Sequence, residues 1–512
     1  MPITLEKLIE HHARYRGDRL AVVFADQRLT WEDFHARVSQ LANAMRQRGV
    51  GKGDKVATAL PNCLELLTAY WATVSIGAVL VPLSPLMNAG GLLNLLGNAD
   101  ACMVFLTGEL MRQIGAQSER VDSIAAENHI LAGGGEAPES ATRYEDFIAG
   151  HSSIPPGYPP MAQEDLFNIV YSSGTTGLPK GIMHSHLVRS HYGSHMAGAF
   201  RMTPESVVLH TGSIVFNGAF VTLMPCFFLG ARYILHPGFD VEAMIETVRT
   251  EKVTHIMMVP SQIIALLQSP HFDSETMQSM EMLLTIGAPL QQQYKEAVNA
   301  IIPGRFYELY GLTEGFVTIL DRSDFDNKPG SVGCPPPGYE MRILDDGGED
   351  LGPGEIGEIV GKGPILSSGY YGQPELTAGA FRDGWLHTGD LGYVDEDGFL
   401  YLAGRKKELI ISGGVNVYPQ DIEEVAAGHP QVMEAAVFGI ESDKWGETPV
   451  AAIVLQPGAG VTADELREWI NQRVGARFQK VSAVFIVAQM PRNVAGKTLK
   501  NELKENYLAN KE

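Results

Sequence analysis

Several common classes are excluded by what the sequence lacks. Its 512 residues include four cysteines, Cys63, Cys102, Cys226 and Cys334. They lie far apart with no C-x-x-C spacing, which excludes a cysteine-built zinc site and a disulfide framework and fits a reducing compartment. Positive charge is scarce: 39 Lys+Arg against 60 Asp+Glu give a net charge of −21. That balance argues against a nucleic-acid partner or an anionic membrane surface, so any phosphorylated ligand has to be gripped by a local set of donors. The apolar run 214–229 contains Asn, Gly and Pro and stops short of the roughly 20 residues of a membrane span. Met1-Pro2-Ile3-Thr4-Leu5-Glu6 has no basic stretch followed by an apolar one. The expectation is a cytoplasmic protein with no transmembrane segment. Composition leaves a homo-oligomer open.

What is there is ordinary globular composition, 45% hydrophobic and 19% charged, enough for about three compact units at roughly 100–200 residues per domain. Residues 1–150 alternate amphipathic helix and short apolar strand. Phe34, Val38, Leu41 and Met45 recur at helical spacing, and 55–61 reads as a buried strand. The segment 132–160, with its Gly133-Gly134-Gly135 and its proline-rich end, reads as a surface connector. From 165 to 320, apolar runs at 167–171, 233–236, 255–259, 283–286 and 306–309 alternate with helical patterns, predicting a layered α/β core with much parallel sheet. Asp345-Asp346-Gly347-Gly348 and Asp395-Glu396-Asp397-Gly398 then read as hairpin turns of a β-rich subdomain. The last hundred or so residues read as a small α+β unit, with helices near 419–428, 462–475 and 497–507 and strands at 435–440, 450–455 and 483–487. The predicted class is α/β, with a large N-terminal domain over 1–404 and a small C-terminal domain over 405–512.

The most informative stretch is Tyr171-Ser172-Ser173-Gly174-Thr175-Thr176-Gly177-Leu178-Pro179-Lys180-Gly181, between an apolar strand and a helical pattern at about 185–200. Glycines let backbone N–H groups approach a phosphate chain, hydroxyls donate to it, and the lysine supplies charge. It is not a Walker A loop, because Gly follows the lysine where Ser or Thr is needed. This segment resembles the phosphate loop of the adenylate-forming superfamily of acyl- and aryl-CoA synthetases, peptide-synthetase adenylation domains and luciferases. Four further blocks follow in order: Tyr310-Gly311-Leu312-Thr313-Glu314, Trp385-Leu386-His387-Thr388-Gly389-Asp390, Gly404-Arg405-Lys406-Lys407-Glu408 leading to Ser412-Gly413-Gly414, and Pro491-Arg492 through Gly496-Lys497. The resemblance covers essentially the whole chain.

The resemblance implies that a carboxylate attacks the α-phosphate of ATP and that the acyl-adenylate is then passed to coenzyme A. Two anions must meet, so positive groups and Mg²⁺ have to offset their repulsion. It assigns Thr175, Thr176 and Lys180 to the β- and γ-phosphates, Glu314 to Mg²⁺, and Thr313 to the α-phosphate. Asp390 and Arg405 would hold the ribose, and Lys497 would bridge the carboxylate and the α-phosphate. Gly287, Ala288, Pro289, Tyr310 and Gly311 are placed with the nucleotide, beside Ser172, Ser173, Gly174 and Gly177. Ser412, Gly413, Gly414 and Trp445 are assigned to the passage of the pantetheine arm. The resemblance also makes Lys407 the hinge about which a mobile small domain would turn. The competing readings are an adenylating module that loads a carrier-protein thiol, a long-chain fatty acid ligase, a luciferase-like oxygenase and a non-enzymatic nucleotide-binding regulator, the last disfavoured by Lys497.

The acid pocket is read from Phe216, Asn217, Ile286 and Leu309. A neutral Asn217, where amino-acid-activating relatives usually have Asp, would leave a substrate ammonium unpaired. Branched Ile286 and Leu309 stand where many relatives carry glycine and would narrow the pocket, which points to a medium-chain, aryl or alicyclic acid; equally, both could simply pack the core. None of the pocket stretches offers an obvious arginine for a second carboxylate. Two look-alikes are set aside. Gly352-Pro353-Gly354-Glu355-Ile356-Gly357 matches G-x-G-x-x-G but leads into a strand, not a helix. His191 and His195, four apart with His186 nearby, lack the glutamate of H-E-x-x-H.

Overall fold

The computed structural model describes residues 3–115, 124–133, 141–172, 180–492 and 498–510. Local sequence starts its helices. Thr30 and Asp33 form a capping box ahead of Trp31–Gln47, Ser185 accepts from the Val188 N–H ahead of His186–Ala199, and Thr462 with Glu465 caps Ala463–Arg473. Each side chain satisfies an N–H that the helix itself cannot pair.

Among the described residues the strands form four sheets. The largest runs Val317–Leu320, Phe306–Gly311, Met282–Ile286, His255–Met258, Val207–His210, Arg232–Leu235, Leu20–Phe24 and Gln27–Thr30. Its six inner strands are parallel and the two at its edges antiparallel. The second sheet runs from Thr142–Arg143 through His129–Leu131, Ala101–Leu106, Lys55–Ala59, Val79–Pro82 and Leu166–Ser172 to Lys180–Ser185. It is parallel except for its last pair. Helices His186–Ala199 and Asn217–Leu229 share one core with side chains of both sheets, including Phe105, Phe167, Tyr233 and Leu309. The second of them is apolar nearly all round, as a helix buried on every side must be.

A third, antiparallel sheet contains Glu340–Leu344, Gly357–Lys362, Phe381–Arg382, Trp385–Val394 and Leu400–Arg405. Asp395–Gly398 closes the hairpin between its last two strands, as the Asp/Gly pattern predicts. After Arg405 the chain makes the short turn Lys406–Glu408 and enters the fourth sheet at Ile410–Ser412. That sheet adds Val415–Val417, Val432–Ser442, Gly446–Leu455 and Ala483–Ile486. Helices Pro419–Ala427 and Ala463–Arg473 contribute Ile422, Ala426, Leu466 and Ile470 to the core on one face of this sheet.

Two expectations need correction. The segment 132–160 is not wholly a surface connector: Thr142–Arg143 adds a strand to the second sheet, and Tyr144 and Phe147 of helix Tyr144–Ile148 are buried. Two aromatics one helical turn apart outweigh the turn-forming residues around them. The last helix spans Lys500–Ala509, not 497–507. The stretch 352–357 leads directly into strand Gly357–Lys362, so the dinucleotide reading fails there as expected.

Candidate active site

Two clusters meet the C-terminal end of strand Phe306–Gly311, the end at which open α/β sheets hold ligands. The Tyr310 hydroxyl donates to Asp390 Oδ2 at 2.9 Å, and Arg405 Nε lies 3.1 Å from Oδ1. Asp390 and Arg405 are register partners on neighbouring strands, so backbone pairing brings the two charges together. The backbone N–H of Asp390 donates to Thr388 Oγ1 at 3.0 Å. Burial first, then the adjacent Asp390, pushes the Tyr310 hydroxyl well above its ordinary range, so it remains a donor.

Just beyond the strand, Thr313 and Glu314 sit in a turn closed by Gly315 N–H donating to the Leu312 carbonyl at 3.0 Å. Gly315 has φ +109°, and a Cβ there would lie 1.9 Å from the Ile365 carbonyl oxygen, so only glycine fits. Tyr370 donates its hydroxyl to Glu314 Oε1 at 2.8 Å, and Lys180 Nζ lies 5.3 Å from the centre of the same ring. Burial, then Glu314, raises the Tyr370 hydroxyl, which again keeps its proton. The Thr313 carbonyl accepts from His184 Nε2 at 2.8 Å. Ser172 and Lys180 are register partners across an antiparallel pair. One lysine, one carboxylate and a phenol thus stand beside an aspartate–arginine pair, an arrangement able to hold a phosphate chain with its cation next to a polyhydroxyl group.

Residues 9–371 match the family described as AMP-binding enzyme, and 421–497 match the AMP-binding enzyme C-terminal domain. This chain belongs to the AMP-binding enzyme family. Feruloyl-CoA synthase of Amycolatopsis sp is 32% identical over 507 residues, 97% of each chain. A 2-succinylbenzoate–CoA ligase of Bacillus cereus is 32% identical over 513 residues, 98% of each chain. The ATP-bound crystal structure of MatB from Rhodopseudomonas palustris aligns over 99% of each chain with a TM-score of 0.88 at 31% identity. The adenylate-forming resemblance is borne out: this is an AMP-binding enzyme of the acyl- and aryl-CoA ligase kind.

In this AMP-binding enzyme, the motif residues Ser172, Lys180, Tyr310, Gly311, Thr313, Glu314, Asp390 and Arg405 fall into the two clusters and the strands beside them. Ser173, Gly174, Thr175, Thr176, Gly177 and Lys497 lie outside the described residues. Gly287-Ala288-Pro289 follows strand Met282–Ile286, beside the end of Phe306–Gly311. Ile286 and Leu309 are register partners that pack on the same core as Phe216. Ile286 Cδ1 also lies 3.9 Å from where a Cβ on Gly218 would stand, beside Asn217. Ser412-Gly413-Gly414 is the turn between Ile410–Ser412 and Val415–Val417. Gly413 has φ +62°, donates its N–H to the Trp445 carbonyl at 2.6 Å, and would bring a Cβ within 2.8 Å of the Trp445 ring. Trp445 is therefore a wall of that turn, flanked by Lys444 and Arg477. Lys407 is in the turn Lys406–Glu408, between two sheets.

Three residues were missed by sequence reasoning. Tyr370 lies between motif blocks in Gly369-Tyr370-Tyr371-Gly372, and only its hydroxyl next to Glu314 reveals it. His184 and Arg189 are the others. Arg189 lies beside Asn217, donating to its Oδ1 at 2.8 Å, while Asn217 Nδ2 donates to the Tyr192 hydroxyl at 3.1 Å. An arginine therefore does stand beside this residue of the expected acid pocket. It reaches there from helix His186–Ala199, which carries none of the predicted pocket residues. Among the described residues no group of three or more His, Cys, Asp and Glu is arranged to hold a metal, and no helix is long and apolar enough to cross a membrane.

Proposed function

We propose that this enzyme is an ATP-dependent carboxylic acid–CoA ligase working in two steps. A carboxylate oxygen attacks the α-phosphorus of ATP, forming the acyl–AMP anhydride and releasing pyrophosphate. The CoA thiolate then attacks the acyl carbon, forming the C–S bond as the C–O bond to AMP breaks. The observation that carries this reading is the convergence of Lys180, Tyr370 and Glu314 with Tyr310, Asp390 and Arg405 at one strand end. The names of the relatives, feruloyl-CoA synthase and 2-succinylbenzoate–CoA ligase among them, support the thiol acceptor.

In this reading Asp390 accepts from the ribose hydroxyls, with Arg405 donating beside it, and Lys180 pairs with the terminal phosphates together with Thr175 and Thr176. Thr313 donates to the α-phosphate. Mg²⁺ fits Glu314, since that ion takes one or two carboxylates plus phosphate oxygens, and Tyr370 orients this carboxylate with a hydrogen bond. When bound it would neutralise phosphate charge. Lys497 bridges the two reacting anions during adenylation. The domains meet near Arg405–Lys407, and turning there exchanges Lys497 for the Ser412-Gly413-Gly414 passage, because both groups cannot occupy one space. The acid is medium-chain, aryl or alicyclic, limited in depth by Ile286 and Leu309.

The test is an acid panel with ATP, Mg²⁺ and free CoA, read by mass spectrometry. Acyl-CoA with AMP is the expected product. Adenylate that is transferred only to a carrier-protein thiol would overturn CoA as acceptor.

A further inference from the structure

Arg189 is 0% exposed, and none of its partners carries a negative charge. Nε donates to Asn168 Oδ1 at 3.0 Å, and Nη2 donates to Asn217 Oδ1 at 2.8 Å and to His184 Nδ1 at 3.2 Å. The guanidinium lies over the rings of Phe220 and Tyr192, 4.1 and 4.7 Å from their centres. Nη1 is buried with no hydrogen-bond partner among the described residues, and so is Asn168 Nδ2. His184 is neutral: burial, then Arg189, drives it well below its usual range. Arginine can only donate, so Nδ1 accepts from it and Nε2–H donates to the Thr313 carbonyl. Burial lowers Arg189 to about 10, which leaves it cationic at neutral pH.

A buried guanidinium is normally matched by a carboxylate or phosphate, because leaving the charge uncompensated costs far more than a neutral hydrogen bond returns. This chain has 60 acidic residues, and no ion pair to Arg189 is found among the described ones. The side chain touches Asn217, the residue after Phe216 in the acid pocket, and it is two hydrogen bonds from the Thr313 carbonyl. Asn217, itself 9% exposed, is the contact through which an acid held against Phe216 and Asn217 would bring an anion to this guanidinium.

We infer that Arg189 is a specificity-determining residue that pairs with a second carboxylate of the acid substrate, so that the enzyme takes a compact dicarboxylic acid and activates one end of it. This rests on the reading of the enzyme as an acid–CoA ligase and adds the chemistry of the acid's other end. Asn168 and Asn217 hold the guanidinium in place. The Phe220 and Tyr192 rings flank it.

The test compares matched acids on the wild-type enzyme: pentanoate with glutarate, hexanoate with adipate, benzoate with terephthalate. A site built around a buried polar group rejects analogues that lack the matching group, so the better dicarboxylate should exceed its partner by about 10²-fold or more in kcat/KM. Arg189→Met should remove that preference, with the loss falling on the dicarboxylate. Arg189→Lys, which keeps the charge, should retain part of it. Equal or better turnover of every monocarboxylate by the wild type would overturn the inference while leaving the ligase reading intact. An Arg189→Met variant that slows both members of each pair equally would assign Arg189 to packing alone. Absence of thioester from every acid would instead count against the ligase reading itself.

Discussion

Lys295 and Arg189 are both withdrawn from water, and the chain treats them differently. Lys295, on helix Gln292–Ile301, forms a salt bridge with Glu308 of strand Phe306–Gly311, and both side chains are about 5% exposed. Burial pulls the Glu308 carboxyl above its usual range, opposed by the lysine beside it. Arg189, in the core that also takes Leu309 from the other face of that strand, has amides, an imidazole and ring faces but no anion. One cation is complete within the fold. The other is complete only when something else is bound.

The sharpest way to break this comparison is to remove one member of the complete pair. Lys295→Ala leaves Glu308 alone in the interior and should cost about 3–5 kcal/mol in denaturant unfolding, whereas Lys295→Met with Glu308→Leu should recover most of that loss. If Lys295→Ala proved nearly neutral, pairing within the fold would not be what stabilises that charge.

A cation held for reaction should behave in the opposite way. Lys497→Ala should lose acyl-AMP formation by about 10²–10³-fold, the size of deleting one transition-state donor, with little change in stability. It should still convert supplied acyl-AMP and CoA to thioester. An equal loss in both half-reactions of a folded variant would remove Lys497 from the adenylation step. At the boundary, Lys407→Pro restricts φ at the proposed hinge. If a conformational step gates the second half-reaction as proposed, it should keep single-turnover pyrophosphate release and slow thioester formation roughly tenfold or more. Equal effects on the two steps would mean that the turn lies elsewhere. The smallest effect concerns Leu309. Leu309→Gly should shift preference toward longer acids by about 0.8 kcal/mol per added methylene, and an unchanged chain-length profile would make Leu309 core packing only.

The same contrast explains what was legible in the sequence. Glu314, Asp390 and Lys180 sit in contiguous motif blocks, and local patterning placed the strands ahead of Glu314 and of the loop that ends at Lys180. The capped start of His186–Ala199 and the Asp395–Gly398 turn were equally readable, since caps and tight turns depend on neighbours in sequence. Arg189 was not. Its partners are Asn168, His184, Asn217 and Phe220, spread over three elements besides its own. Its helix is only weakly amphipathic, and an arginine on such a helix is expected to face water. Tyr370 was hidden for the same reason: its loop meets elements distant in sequence, the Ser367 N–H donating to the Glu314 carbonyl at 2.8 Å and the Tyr371 N–H to the Gly181 carbonyl at 2.7 Å. Thr142–Ile148 was lost in a turn-rich stretch whose two aromatics carry the packing.

The most direct test of the central claim is exchange of labelled pyrophosphate into ATP, measured with Mg²⁺ and acid but without CoA. Reversible adenylation at the Glu314–Lys180 cluster predicts label in ATP only when a carboxylic acid is present, and none with Glu314→Gln. Exchange that ignores the acid, or cleavage of ATP to ADP and phosphate, would contradict it.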